Sequence, residues 1–89
     1  METILTKFKI LQSNPAALVD FLASITNKEM KLLYKIAKNK YCDGEKRTIE
    51  DMEEEIGFKY QSIMYHLNNK KSANSMPNDM KLKIIELLV

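Results

Sequence analysis

The fold of this chain is decided by residues 48–67, TIEDMEEEIGFKYQSIMYHL. On either side of Gly57, apolar residues recur at the three- and four-residue spacing of a helix that buries one face. Glycine adopts the left-handed backbone conformation that ends a helix and permits a steep turn. The stretch therefore predicts two short helices joined at a tight corner, the first from about Ile49 to the glycine and the second from Tyr60 to Asn69.

Two helices that meet at a steep angle need apolar side chains on both sides of the corner. The chain supplies five of them: Met52, Ile56, Phe58, Ile63 and Leu67. Their order and spacing resemble a helix-turn-helix, here about residues 49–68. One position departs from the family pattern, because Glu53 stands four residues before the glycine, where the family has a small residue. We expect its carboxylate to bend outward from the corner.

The wider layout, from Phe21 to Val89, is similar to the Trp-repressor-like group and less closely to the phage-repressor-like group. In this layout helices precede the motif, and a polar loop and one closing helix follow it. The resemblance implies a small transcriptional regulator that binds double-stranded DNA. It also implies a homodimer, because paired modules read half-sites about one helical turn apart. We expect the first helix and the apolar end from Ile84 to Val89 to form the dimer surface.

A helix-turn-helix places its second helix in the major groove, with the N-terminal half of that helix toward the base edges. The resemblance therefore implies a DNA-binding site on the second helix and the loop after it. Its residues are Lys59, Tyr60, Gln61, Ser62, Met64, Tyr65, Asn68, Lys70 and Lys71. Glutamine and asparagine pair bidentately with adenine, lysine reaches guanine acceptors, and methionine or tyrosine contacts a thymine methyl. Lys70 and Lys71 are expected to hold phosphates.

Two helices are predicted at the start of the chain. The first runs from about Glu2 to Gln12, with one apolar face formed by Ile4, Leu5, Phe8 and Leu11. The second starts at Pro15, because Asn14 is a good helix cap and proline is tolerated in a first turn. Its apolar stripe is formed by Leu18, Phe21, Leu22 and Ile25.

The third predicted helix begins at a capping box, Thr26 with Glu29, and runs to about Tyr41. At 100° per residue, an arc of about 80° contains a lysine ridge formed by Lys28, Lys31, Lys35 and Lys38. The opposite, apolar side is expected to contain Leu32, Leu33, Ile36 and Ala37. The lysine ridge either holds phosphates or is a solvated helix face.

The rest of the chain is also predicted to be helical. Thr48 with Asp51 forms a second, weaker capping box before the motif. Only about nine residues separate Leu67 from Pro77, and they are rich in Asn, Ser and Lys and lack the alternation of a β-hairpin, so a winged helix is not expected. Pro77 marks a closing helix with a buried side formed by Met80, Ile84, Leu87 and Leu88. The sequence therefore predicts an all-α fold, a compact bundle of five to six short helices containing a helix-turn-helix, in a single domain over residues 1–89.

The net charge of +2 conceals three blocks of opposite sign. Residues 26–47 carry seven Lys or Arg and three acids, residues 48–58 carry five acids and no base, and residues 59–71 carry three lysines and no acid. The acidic run, Glu50 to Glu55, would repel phosphates if it faced DNA. An alternative function is therefore a helical interaction module, an adaptor or inhibitor, that uses the acidic face 50–55 to bind a basic protein partner.

The composition and motifs disfavour other functional classes. With 89 residues, of which 45% are hydrophobic and 29% charged, the chain is expected to fold around one small core. Its N-terminus lacks the long apolar stretch of a signal peptide or a membrane anchor, so we expect a cytoplasmic protein without membrane contact. Cys42 and His66 form no metal-ligand or catalytic pattern with other residues. We therefore expect no enzyme activity, no cofactor and no metal ion.

Overall fold

A computed structural model describes residues 2–89 and contains six helices and no strand within that range. The helices are α1 (Glu2–Leu11), α2 (Pro15–Ser24), α3 (Asn27–Tyr41), α4 (Ile49–Ile56), α5 (Tyr60–Leu67) and α6 (Asn78–Glu86). The radius of gyration is 12.8 Å, close to the value of about 12 Å expected for a compact chain of this length. The prediction of a compact all-α bundle is confirmed.

Helix starts follow the capping signals that the sequence predicts. The side chain of Asn14 accepts a hydrogen bond from a backbone N–H in the first turn of α2. Both capping boxes form, with Thr26 and Glu29 at α3 and with Thr48 and Asp51 at α4. These bonds satisfy N–H groups that the first turn of a helix leaves without a partner.

α5 ends at Leu67, two residues before the predicted end at Asn69. The Asn69 side chain accepts hydrogen bonds from the N–H groups of Lys71, at 2.9 Å, and Ser72, at 3.1 Å. Such local bonds offer the backbone an alternative to helical pairing, so the chain turns into a loop here.

α3 lies at the centre of the fold, where it packs against α4, α5 and α6. α1 pairs with α2, which also packs against α6. All six helices contribute to one hydrophobic core. Its buried residues are Phe8, Leu22, Ile25, Met30, Leu33, Tyr34, Ala37, Met52, Ile56, Ile63, Leu67, Met76, Met80, Ile84, Ile85 and Leu88.

The buried side of α3 differs in part from the predicted one. Its buried residues are Asn27, Met30, Leu33, Tyr34 and Ala37. Leu33 and Ala37 are therefore buried as predicted, but the prediction is wrong for Leu32 and Ile36, which are 52% and 44% exposed. The apolar residues of this helix span a wider arc than the neighbouring helices cover, and Leu32 and Ile36 lie outside the covered part.

The C-terminal end of the chain is buried in its own core. Ile84, Ile85 and Leu88 are buried because α6 packs its apolar side against α2, α3 and α4. Most of the apolar end that we expected to form a dimer surface is therefore not available for one, and that part of the expectation is wrong. Val89 is exposed, and so is Ile10 on α1.

The polar loop 68–77, between α5 and α6, is fixed by the side chain of Asn27 at the start of α3. Asn27 is buried, and its Oδ1 accepts hydrogen bonds of 3.2 Å from the N–H groups of Ser75 and Met76. Its Nδ2 donates to the carbonyl of Ser72 and to the hydroxyl of Ser75. A buried amide with all of these partners resists displacement. The loop therefore has a defined position beside α3 although most of its residues are polar.

Candidate nucleic-acid interface

α4 and α5 meet at a tight turn that begins with Gly57. Its backbone has φ +85° and ψ 14°, in the left-handed region, and its N–H donates to the carbonyl of Glu53 at 2.7 Å. A Cβ at this position would meet no atom within 4 Å. Backbone conformation, and not crowding, therefore favours glycine here. The five apolar residues predicted around this corner all belong to the core or pack against it.

Glu53 lies at the corner in an arrangement that the sequence does not predict. Its Oε1 accepts a hydrogen bond of 3.0 Å from the N–H of Tyr60, the first residue of α5. Lys59, the residue before α5, offers no side-chain acceptor to the helix. A carboxylate beside the free N–H groups of a helix start is favoured by hydrogen bonding and by the helix dipole. The expectation that this carboxylate bends outward is therefore wrong, because it crosses the turn and caps α5.

The predicted DNA-binding residues divide between a solvent face and the side of α5 toward α3. Those that are exposed are Lys59, Gln61, Ser62, Tyr65, Asn68, Lys70 and Lys71. Tyr60 and Met64 are half-buried and pack against the core. The ring of Tyr60 lies 6.4 Å from the ring of Tyr34 on α3, measured between centroids. Seven of the nine predicted residues are therefore exposed, and two face α3.

A groove of about 330 Å³ lies between α3 and α5. From α3 it is lined by Lys31, Lys35 and Lys38, and from α5 by Tyr60 and Met64. The lysine ridge of α3 therefore borders α5 and does not lie on a remote face of the bundle.

A second cleft adjoins the end of α5. It is lined by Lys28 and Lys31 of α3 and by Lys70 of the loop 68–77. Lys70 and Lys71 also lie beside Tyr65 of α5. The two basic blocks of the sequence thus meet around one helix. We call this region the basic surface, defined as the exposed residues of α5 with Lys28, Lys31, Lys35, Lys38, Lys70 and Lys71.

The acidic run of α4 is partly used in helix capping. Asp51 completes the capping box of α4, and Glu53 caps α5. Glu50, Glu54 and Glu55 are exposed. Two of the five acids therefore have a structural role, and the other three form a smaller acidic surface than the sequence suggests.

Three features in and near α3 have no clear signal in the sequence. Burial raises the pKa of Tyr34, which lines the groove, to about 12. The guanidinium carbon of Arg47 lies 4.9 Å from the ring centroid of Tyr41, within range of a cation–π contact at the end of α3. In the loop between them, hydrogen bonds from three backbone N–H groups, that of Arg47 foremost, lower the pKa of Asp43.

The reactive side chains that the sequence singles out, Cys42 and His66, have structural settings. Cys42 is half-buried at the end of α3, and Nδ1 of His66 lies 2.9 Å from the hydroxyl of Ser75. Over residues 2–89, no group of three or more His, Cys, Asp or Glu residues is placed to hold a metal ion. In the same range, no helix is both long enough and apolar enough to cross a membrane.

No protein-family model, curated protein or solved structure matches the chain.

Proposed function

We propose that this protein binds double-stranded DNA through α5 and acts as a transcriptional regulator. The observation that carries the proposal is the groove in which the lysine ridge of α3 faces the side chains of α5. A helix that enters the major groove needs cations beside it, because the two phosphate backbones border that groove. Lysines from α3 and from the loop 68–77 lie next to α5 and meet this requirement.

In the proposed complex, the exposed side of α5 contacts base edges and the lysines contact phosphates. Gln61 and Asn68 offer the bidentate hydrogen bonds that suit adenine, Lys59 reaches guanine acceptors, and Tyr65 offers an apolar ring to a thymine methyl. Gln61→Ala should therefore cost about 1–3 kcal/mol on a preferred site and little on random DNA.

The proposal is tested with two variants that lose the same number of charges. A ridge variant removes three cations beside α5 by changing Lys31, Lys35 and Lys38 to Gln. A control variant removes three exposed cations outside both the basic surface and α1 by changing Lys40, Lys46 and Lys83 to Gln. Fluorescence anisotropy with a short random-sequence duplex, between about 50 and 200 mM salt, gives the slope of log K against log salt.

The ridge variant should lose about 2.7 from the magnitude of this slope, because each phosphate contact contributes about 0.9. Over a roughly fourfold change in salt, that difference corresponds to about 40-fold in affinity. The control variant should lose much less. Equal slopes for the two variants would contradict the proposal. The absence of salt-sensitive DNA binding by the wild-type protein would also contradict it.

A second candidate function is the binding of a basic protein through the acidic face 50–55. It is favoured by the exposure of Glu50, Glu54 and Glu55, which make no capping bond. Glu54→Lys combined with Glu55→Lys separates the two functions. If α5 binds DNA, this reversal leaves DNA binding unchanged or stronger, whereas a working acidic surface would lose its basic partner.

We also propose that the protein binds DNA as a homodimer, since one α5 reads only one half-site. With most of the end of α6 buried, the remaining candidate surface is α1, where Ile10 is exposed. Light scattering should show a dimer at high micromolar concentration. A monomer under those conditions would remove this part of the proposal.

A further inference from the structure

Lys81, on α6, is a buried lysine that connects three parts of the fold. Its side chain is 1% exposed, and its Nζ donates to the carbonyl of Leu22 at 2.8 Å and to Oδ1 of Asn74 at 2.6 Å. Leu22 belongs to α2, and Asn74 belongs to the loop 68–77. The Nδ2 of Asn74 in turn donates to the carbonyl of Ala23 on α2. One ammonium group thus ties α6 to both α2 and the loop.

Stability gives little reason for an ammonium group at this position. Both of its acceptors are neutral, and desolvation lowers the pKa of Lys81, an effect that the charge of Glu29 offsets only in part. Neither acceptor would be left without a partner in its absence, because the Leu22 carbonyl also accepts from the N–H of Ile25 and Asn74 is exposed to water. A methionine of similar length should therefore be tolerated at least as well.

The loop that Lys81 reaches is the one that carries two lysines of the basic surface. Lys70 and Lys71 come directly before the segment 72–76, which is anchored to α3 through Asn27. Asn74 is the point where this segment reaches α2. The direction of the Asn74 side chain is set by the ammonium of Lys81 on one side and by an α2 carbonyl on the other. Releasing Asn74 would therefore loosen the segment that follows the two lysines.

We propose that Lys81 is a positioning residue of the basic surface, whose ammonium fixes Asn74 against α2 and so acts with Asn27 and Asn69 to hold Lys70 and Lys71 beside α5. The functional consequence rests on the proposed DNA binding, whereas the effect on the loop does not. Lys81 touches no DNA in this arrangement, because it is buried. The packing of α6 does not require the charge of Lys81. The charge acts on the position of the loop.

The test is Lys81→Met, with Lys83→Met on the exposed side of α6 as the matched control. Without DNA, the amides of residues 71–76 should exchange hydrogen severalfold faster in Lys81→Met, while the melting temperature stays the same or rises. With a random-sequence duplex, the magnitude of the salt slope should fall by up to about 1.8, since two lysine contacts contribute about 0.9 each. Lys83→Met should change none of these quantities.

A double-variant comparison separates positioning from a purely structural role. Changing Lys70 and Lys71 to Gln should weaken DNA binding when Lys81 is present. The same changes should reduce DNA affinity little further in the Lys81→Met background, because the two lysines are already displaced there. A purely structural role for Lys81 predicts a lower melting temperature and an undiminished cost of the Lys70 and Lys71 changes.

The outcomes also separate this proposal from the proposed function. If the unchanged protein binds no DNA, the proposed function fails, and hydrogen exchange still decides whether Lys81 fixes the loop. Unchanged exchange at residues 71–76 in a folded Lys81→Met overturns the positioning role even if DNA binding holds. If Lys81→Met does not fold, the argument from stability is overturned. Asn74→Ala, which truncates an exposed side chain, then tests the loop by the same exchange measurement.

Discussion

Gly57→Val tests the turn between α4 and α5 most sharply. The backbone at Gly57 has φ +85°, where any residue with a Cβ is strained and a β-branched residue is strained most. Because a Cβ would meet no atom within 4 Å, the cost comes from backbone conformation alone. That cost is about 1–2 kcal/mol for a residue with an unbranched Cβ, and we expect about 1–3 kcal/mol for valine.

The chain has little room to relax at this turn. Ile56 directly before it and Ile63 in α5 are both buried, so a change of φ at Gly57 would move one of two packed helices. We expect Gly57→Val to lower the melting temperature by roughly 4–24 °C, at about 4–8 °C per kcal/mol for a domain of this size. Circular dichroism measures the change. Gly57→Asn should cost least, since asparagine tolerates the left-handed region best.

Gly44 provides a matched control in the loop between α3 and α4. It has φ +83°, a Cβ there would also meet nothing within 4 Å, and both glycines are exposed. Gly44 differs in its place, because it lies within the longer loop between Tyr41 and Ile49 and not at a tight turn between two helices. Gly44→Val imposes the same local strain in a loop held by exposed hydrogen bonds to Asp43 and not by buried side chains, so its effect should be smaller. If Gly57→Val melts like the unchanged protein, or if Gly44→Val costs as much, the reasoning about the turn is refuted.

Two further predictions concern single side chains at the groove and the turn. Glu53→Ala removes the carboxylate that caps α5 and should cost about 0.5–2 kcal/mol in chemical denaturation. Glu54→Ala, on the exposed side of the same helix, should change stability by less than about 0.5 kcal/mol, and equal costs would show that the cap contributes nothing. The pKa of Tyr34 rises from its ordinary value of 10.0 to about 12 on folding, so its stabilisation is complete below pH 10.0 and is lost as the pH approaches 12. Tyr34→Phe should remove that part of the alkaline loss of stability, and an unaltered alkaline melting profile would count against it.

Local signals in the sequence were enough to predict most of the helices. Asn14, the two capping boxes and Gly57 each act through bonds or dihedral angles within a few residues, so the sequence pattern contains all the necessary information. The burial of two residues of α3, Leu33 and Ala37, is also predicted from the sequence. The exposure of Leu32 and Ile36 was not, because a helical period gives the direction of an apolar stripe but not how much of it neighbouring helices cover.

The features that shape the candidate site depend on contacts between distant parts of the chain. The bond from Glu53 to the backbone of Tyr60 requires the turn to be in place before the carboxylate can reach α5. The contacts of Asn27 with the loop 68–77 and of Lys81 with Leu22 join residues far apart in sequence, and a lone asparagine or lysine carries no sign of burial. The sequence therefore indicated which residues are basic, and only the packing of α3 against α5 shows that they share a surface.

The claim that α5 and its flanking lysines bind DNA is tested most directly by an NMR titration of the labelled protein with a short duplex at low salt. The largest amide shift changes are expected at residues 28–38 of α3, at residues 59–68 around α5, and at Lys70 and Lys71. They should disappear as salt is raised, because phosphate contacts are lost with increasing salt. Shift changes confined to α1 and α2 or to the exposed glutamates of α4, or no shift changes at low salt, would contradict the claim.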